Sequence, residues 1–128
     1  MLDISDIYFH DAYFVGIEIT TLKDHFDYVA FKLEYDEFRE QFGTDKIKLI
    51  FDECFMAKMF LPMWFHGKGY LMDVYYKKES DMLDEINDLK NKKCLPKDIE
   101  FKHYCLECNS GSVIDILAKG FRVESVKV

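Results

Sequence analysis

The sequence has few cysteines and lacks a long hydrophobic run. Four cysteines are too few for a disulfide scaffold in a chain of 128 residues. No stretch of about 18 consecutive apolar residues occurs, so no membrane-spanning helix is expected. The first residues lack the basic start and apolar run of a secretory signal. We therefore expect a cytoplasmic protein with reduced cysteines.

Basic residues are scarce in the first half of the chain. Residues 1–64 hold 13 acids and 6 bases, residues 65–128 hold 11 of each, and the formal net charge is -7. Proteins bind nucleic acid largely through Lys and Arg, which release counterions from the phosphates. We therefore expect neither nucleic acid nor a membrane as a partner, but a basic protein. The sequence leaves the oligomeric state open.

Motifs of common enzyme classes are also missing. The sequence contains no Gly-x-Ser-x-Gly, and Gly67-Lys68-Gly69 lacks both the spacing and the following Ser or Thr of a phosphate-binding loop. We therefore predict no catalytic residue and no cofactor, and expect that the protein is not an enzyme.

Apolar residues are plentiful and alternate with polar ones. They make up 49% of the chain, which is enough for the core of a single domain spanning residues 1–128. Period-two alternation predicts strands over residues 7–19, 29–35, 47–61 (one long bent strand or two), 70–76, 99–108 and 112–126. The glycine-rich segment 66–69 predicts a hairpin leading into the fourth of these.

One strong helix is predicted. Ser80 can cap it, and apolar residues then recur at helical spacing at Met82, Leu83, Ile86 and Leu89. A single helical turn ending in glycine is predicted over residues 36–43. The order of elements predicts an α+β fold, with a mainly antiparallel, twisted sheet of about six strands and one main helix packed on it.

Candidate partner-binding residues are five acids beside the second strand and two residues of an aromatic segment: Asp24, Asp27, Asp36, Glu37, Glu40, Trp64 and His66. Acids of this kind could meet a basic partner, whereas most acidic runs are solvated faces. Trp is enriched at interface hot spots, whereas burial in the core is the competing interpretation of Trp64.

His10 and Asp11 resemble the metal-binding pair of the HD phosphohydrolases, but the match is two residues long. We predict a structural role for them, in which a side chain fixes the start of the sheet by hydrogen bonds to nearby backbone.

The spacing of Cys105 and Cys108 is that of one knuckle of a zinc ribbon. Cys54, Cys94 or His103 would have to supply the remaining ligands. On a straight strand, side chains three residues apart face opposite ways. We therefore predict no metal, and keep a zinc-stabilised module using Cys105, Cys108, Cys94 and His103 as the alternative.

Residues 7–19, with His10-Asp11-Ala12 before an alternating strand, resemble the opening of small uncharacterised bacterial β-rich proteins. Some of those proteins accompany polymorphic toxins as immunity proteins. The resemblance implies a protein that neutralises a partner by binding it, and it transfers no catalytic residue. Together with the acidity, it leads us to expect an immunity-type inhibitor of a basic toxin. The alternatives are the zinc-stabilised module and a small-molecule binder in the cup of the sheet.

Overall fold

The computed structural model describes residues 3–20, 27–60, 69–92, 100–109 and 111–126. Its elements in chain order are a 3-10 helix (Ile4–Asp6), β1 (Tyr13–Thr20), β2 (Asp27–Glu34), α1 (Phe38–Phe42), β3 (Lys46–Phe60), β4 (Leu71–Lys77), α2 (Asp81–Asn91), β5 (Lys102–Cys108) and β6 (Val113–Ser125). The six-stranded antiparallel sheet with one main helix confirms the predicted α+β fold. Among these residues, no helix has the length and apolar character needed to cross a membrane.

The strands form a single sheet in the order β1-β2-β3-β6-β5-β4. β3 and β6 pair along most of their length, from Ile47 opposite Ser125 to Phe60 opposite Val113. Since β2 and β6 occupy both edges of β3, β4 pairs with β5 instead. The segment between β3 and β4, on which the predicted hairpin falls, lies outside the described residues apart from Gly69 and Tyr70.

The edge strands β1 and β4 meet at one end of the sheet. Tyr13 and Tyr70 form an isolated antiparallel bridge. Beside it, the N–H of Phe14 donates to the carbonyl of Gly69 at 2.8 Å, and the N–H of Leu71 donates to the carbonyl of Ala12 at 2.8 Å. The sheet is therefore curved enough for its first and last strands to join.

The predicted first strand begins later than expected. The chain before it forms the 3-10 helix and a turn, and Ile7 and Phe9 are buried there as part of the core. Asp11 adopts a left-handed conformation with φ of 75°, which extended backbone does not allow. The strand can start only after this turn, at Tyr13.

Apolar side chains fill both faces of the sheet. The larger cluster lies on the concave face, where the rings of Phe51 and Tyr104 are 5.0 Å apart between centroids. On the opposite face, α2 packs Met82 and Ile86 near Leu117 of β6. Alternate residues of β6 therefore contribute to two different cores, Ile116 to the larger and Leu117 to the smaller.

β3 is irregular, and α1 ends, at residues with positive φ. β3 is one long strand, with Glu53 at a φ of 49° beside a register shift between Cys54 and Met56. This settles the predicted choice in favour of one bent strand. α1 ends at Gly43, whose φ of 75° confirms the predicted glycine stop.

Candidate functional site

An open groove of about 590 Å³ separates the N-terminal segment from the turn into α1. Its lining residues are Asp6, Tyr8, Asp36, Glu37, Phe38, Glu40 and Gln41. Four of these seven side chains are acidic and none is basic. We call this surface the acidic groove.

Aromatic rings hold the two walls of the acidic groove together. Phe38 is buried, and its ring meets Phe9 at 6.1 Å and Tyr35 at 5.4 Å, both edge-on. Tyr8 lies 6.1 Å from Tyr35 between ring centroids. Because the N-terminal segment packs on α1 through these rings, carboxylates distant in sequence face one opening.

No cationic side chain among the described residues forms an ion pair with the four carboxylates of the acidic groove. Arg39 of α1 pairs instead with Asp45, at 3.1 Å. Burial, reinforced by the charge of Glu37, raises the pKa of Tyr35 to about 12. The acidic groove therefore carries negative charge that the described part of the chain does not neutralise.

The structure brings three of the seven predicted partner-binding residues together: Asp36, Glu37 and Glu40 line the acidic groove. Asp27 instead begins β2, opposite Cys54. Asp24, Trp64 and His66 lie outside the described residues. Sequence reasoning missed Asp6 and Tyr8. The signal for Tyr8 is its position between buried Ile7 and Phe9, which turns its ring outward with 56% of its surface exposed.

His10 and Asp11 lie where β1 and β4 meet. Nδ1 of His10 is 3.0 Å from the carbonyl oxygen of Met72. The N–H of Asp11 donates to the carbonyl of Leu71 at 2.8 Å, and its carboxylate lies 3.6 Å from Nε2 of His10. These contacts connect the segment before β1 to β4.

A second group of polar side chains lies on the outer face of the sheet, below the start of α2. His103 and Cys105 share one face of β5 because they are two residues apart. Oδ1 of Asp115 on β6 is 2.8 Å from Nε2 of His103 and 3.1 Å from Sγ of Cys105. Nδ1 of His103 is 2.7 Å from Oγ of Ser80. We call His103, Cys105 and Asp115 the His-Cys-Asp cluster.

Burial and hydrogen bonds set the charges of this cluster. Burial raises the pKa of the Cys105 thiol to about 12, and the carboxylate of Asp115 adds to the effect. Burial alone would raise the pKa of Asp115, but hydrogen bonds from Cys105 and His103 hold it below its usual value. At neutral pH, Cys105 is therefore a thiol and Asp115 a carboxylate.

The hydrogen bonds also set the tautomer of His103. A carboxylate can only accept, so Nε2 carries a proton and donates to Asp115. In the neutral ring, Nδ1 then accepts from the hydroxyl of Ser80, while Oγ of Ser80 accepts from the N–H of Leu83 at 3.2 Å. His103, with 3% of its surface exposed, thus has both ring nitrogens satisfied.

The residues of the alternative zinc site are separated. Cys108 belongs to the concave core, whereas Cys105 faces Asp115 on the other side of the sheet. Cys94 lies outside the described residues. The structure instead groups Cys105 and His103 with Asp115. Sequence reasoning missed Asp115, whose signal is an acid between the buried residues Ile114 and Ile116.

The described residues thus contain two groups of side chains that could bind a ligand, the acidic groove and the His-Cys-Asp cluster. They lie in different parts of the fold, the first beside α1 and the second below α2. No protein-family model, curated protein or solved structure matches this chain.

Proposed function

We propose that this protein binds a basic segment of another protein in the acidic groove, and that it acts as an immunity-type inhibitor of a basic toxin. The observation that carries the proposal is the set of four carboxylates around one opening, with no ion-pair partner among the described residues. A partner that brings Lys or Arg side chains supplies the missing countercharges.

The shape of the acidic groove favours a protruding segment over a flat surface. An opening of about 590 Å³ has room for a few side chains, and Tyr8 presents an exposed ring at its rim. Lys and Arg stack on such rings as well as pairing with carboxylates. A loop or strand end rich in basic residues therefore fits both the charge and the aromatic component.

Long-range attraction suits an inhibitor, which must capture its target quickly. With a formal net charge of -7, the chain attracts a basic partner before contact. Residues 7–19 resemble the opening of some immunity proteins, and Tyr8 of that segment lines the acidic groove. This resemblance supports the proposal that the bound partner is a toxin.

The proposal is tested by capture of partners from extracts of the source cells, with quantitative mass spectrometry. The wild type is compared with a triple variant of the acidic groove, Asp36→Asn/Glu37→Gln/Glu40→Gln. A triple variant on and before α2, Glu79→Gln/Asp84→Asn/Glu85→Gln, is the matched control, since it removes the same charge from exposed positions.

We expect a basic protein that the wild type and the control capture equally and the groove variant captures at least about tenfold less, the ratio given by a loss of about 1.4 kcal/mol. Co-expression of that protein with the wild type, and not with the groove variant, should restore growth of the cells if it is a toxin. Equal capture by all three chains would contradict the proposal.

A further inference from the structure

We propose that the His-Cys-Asp cluster is a zinc site, in which Nε2 of His103, Sγ of Cys105 and Oδ1 of Asp115 are three ligands and water is the fourth. The site is independent of the acidic groove. Imidazole, thiolate and carboxylate are all common ligands of Zn²⁺, and their combination selects it over hard cations that prefer oxygen.

The spacing of the three ligand atoms suits a metal ion. Their separations are 2.8 Å between Nε2 and Oδ1, 3.1 Å between Sγ and Oδ1, and 3.5 Å between Sγ and Nε2. The circle through these atoms has a radius of about 1.8 Å, which is shorter than zinc–ligand bonds of about 2.0 to 2.3 Å. An ion just outside their plane would therefore reach all three with little movement of the strands.

Ser80 supplies the support that a metal-bound histidine needs. When Nε2 binds metal, the ring proton moves to Nδ1 and requires an acceptor. Oγ of Ser80 lies 2.7 Å from Nδ1 and can accept a hydrogen bond from its N–H in addition to the one from the N–H of Leu83. The hydroxyl that donates to the free ring thus becomes an acceptor for the metal-bound ring, without a change of partner.

The charge of the ligands and the solvent access of the site also suit Zn²⁺. Binding releases one proton from the Cys105 thiol, so Zn²⁺ meets a thiolate and the Asp115 carboxylate, and the two negative charges balance the ion. Lys77 is close enough to act on both groups, which moderates the affinity. Asp115 retains 28% exposure of its side chain, so the ion can enter from the solvent beside it.

The test is a titration of the full chain, freed of metal, with CoCl₂ followed by displacement with ZnCl₂. We expect saturation at one ion per chain, a sulfur-to-cobalt charge-transfer band, and the intense visible bands of four-coordinate cobalt. Zn²⁺ should abolish these bands. Cys105→Ala should lack the charge-transfer band. Cys108→Ala should keep it, because Cys108 lies on the opposite face of the sheet, in the larger core cluster.

Ser80→Ala separates a metal site from a merely structural cluster, because it leaves all three ligands in place. We expect zinc affinity to fall about 10- to 100-fold, as for loss of other partners of metal-bound histidine, with Ser80→Thr restoring it. Circular dichroism identifies the variants that fold. Should Cys108→Ala unfold, Cys54→Ala replaces it as the control.

Absence of a saturable cobalt spectrum in the folded wild type would overturn the proposal, as would a charge-transfer band that survives in Cys105→Ala. The triple variant of the acidic groove should bind cobalt like the wild type. Loss of partner capture and loss of metal binding are therefore distinguishable.

Discussion

Nε2 of His103 and Oδ1 of Asp115 lie 2.8 Å apart across the β5–β6 pair, with the histidine side chain almost completely buried. The two residues are diagonal neighbours, since His103 is in register with Leu117 and Asp115 with Cys105. Polar groups this deep in a small domain are costly unless they are paired. The pair therefore has measurable consequences for stability.

Asp115→Ala should destabilise the protein by about 1 to 3 kcal/mol, because it removes the carboxylate that accepts hydrogen bonds from both His103 and Cys105. The matched control is Asp52→Ala, which removes an exposed carboxylate that pairs with Arg122 at 3.0 Å. That change should cost about 0 to 1 kcal/mol. Urea unfolding at neutral pH measures the free energy of unfolding of both variants. Equal losses of stability would show that the buried pair stabilises the fold no more than the exposed one.

Stability should decline at alkaline pH, partly because of Cys105. Its folded pKa of about 12 lies above the ordinary value of 9.0. Its contribution is therefore fully present below pH 9 and is lost as the pH rises from 9 towards 12. Tyr104, whose pKa burial raises to about 12, adds a similar decline from the ordinary value of 10.0.

Cys105→Ala should flatten this decline without abolishing it, because Tyr104 remains. Urea midpoints measured from pH about 8 to about 11 for both chains give the comparison. The packing lost with the sulfur is the same at every pH, so only the slope reports the titration. Parallel curves for the two proteins would contradict the assignment.

The strands and α2 could be predicted from the sequence because they are encoded locally, whereas the 3-10 helix and the turn before β1 were not predicted. Alternation marks the strands, and the helical spacing after Ser80 marks α2, which begins at Asp81 with the hydroxyl of Ser80 as its cap. The order of strands could not be predicted. The bridge between Tyr13 and Tyr70 joins residues far apart in the chain, and alternation says which face a residue takes but not which strand lies beside it.

The candidate sites were predictable to the same limited extent. Asp36, Glu37 and Glu40 are close in sequence and could be recognised as a cluster, whereas Asp6 joins them only through packing of the N-terminal segment on α1. Asp115 likewise meets His103 through pairing of β5 with β6. Contacts that depend on tertiary structure leave no periodic signal in the sequence.

Asp11 should tolerate glycine better than alanine. Its φ of 75° is left-handed, where a side chain costs about 1 to 2 kcal/mol and Asp or Asn pays less than most. We expect Asp11→Ala to lose about 1 kcal/mol relative to Asp11→Gly, with Asp11→Asn near the wild type. All three keep the N–H that donates to Leu71. Thermal unfolding gives the ranking, and alanine matching glycine would contradict it.

Neutralising the acidic groove should not destabilise the fold. Its carboxylates have no countercharge among the described residues, so they repel one another across the opening. We expect this repulsion to outweigh the favourable position of Glu40 in the first turn of α1, because that helix is only five residues long. In Asp36→Asn/Glu37→Gln/Glu40→Gln we expect a gain of up to about 1 kcal/mol at low salt, which shrinks in about 1 M NaCl because the Debye length there is about 3 Å.

The control variant Glu79→Gln/Asp84→Asn/Glu85→Gln should behave oppositely. Asp84 lies in the first turn of α2, where a negative charge favours the helix dipole, so its loss should cost about 0.3 to 1 kcal/mol at low salt. Urea unfolding at two salt concentrations tests the contrast. A groove variant that is clearly less stable would mean that its carboxylates support the fold. A stable variant that no longer captures its partner would mean that they are kept for binding at some cost to stability, as functional sites often are.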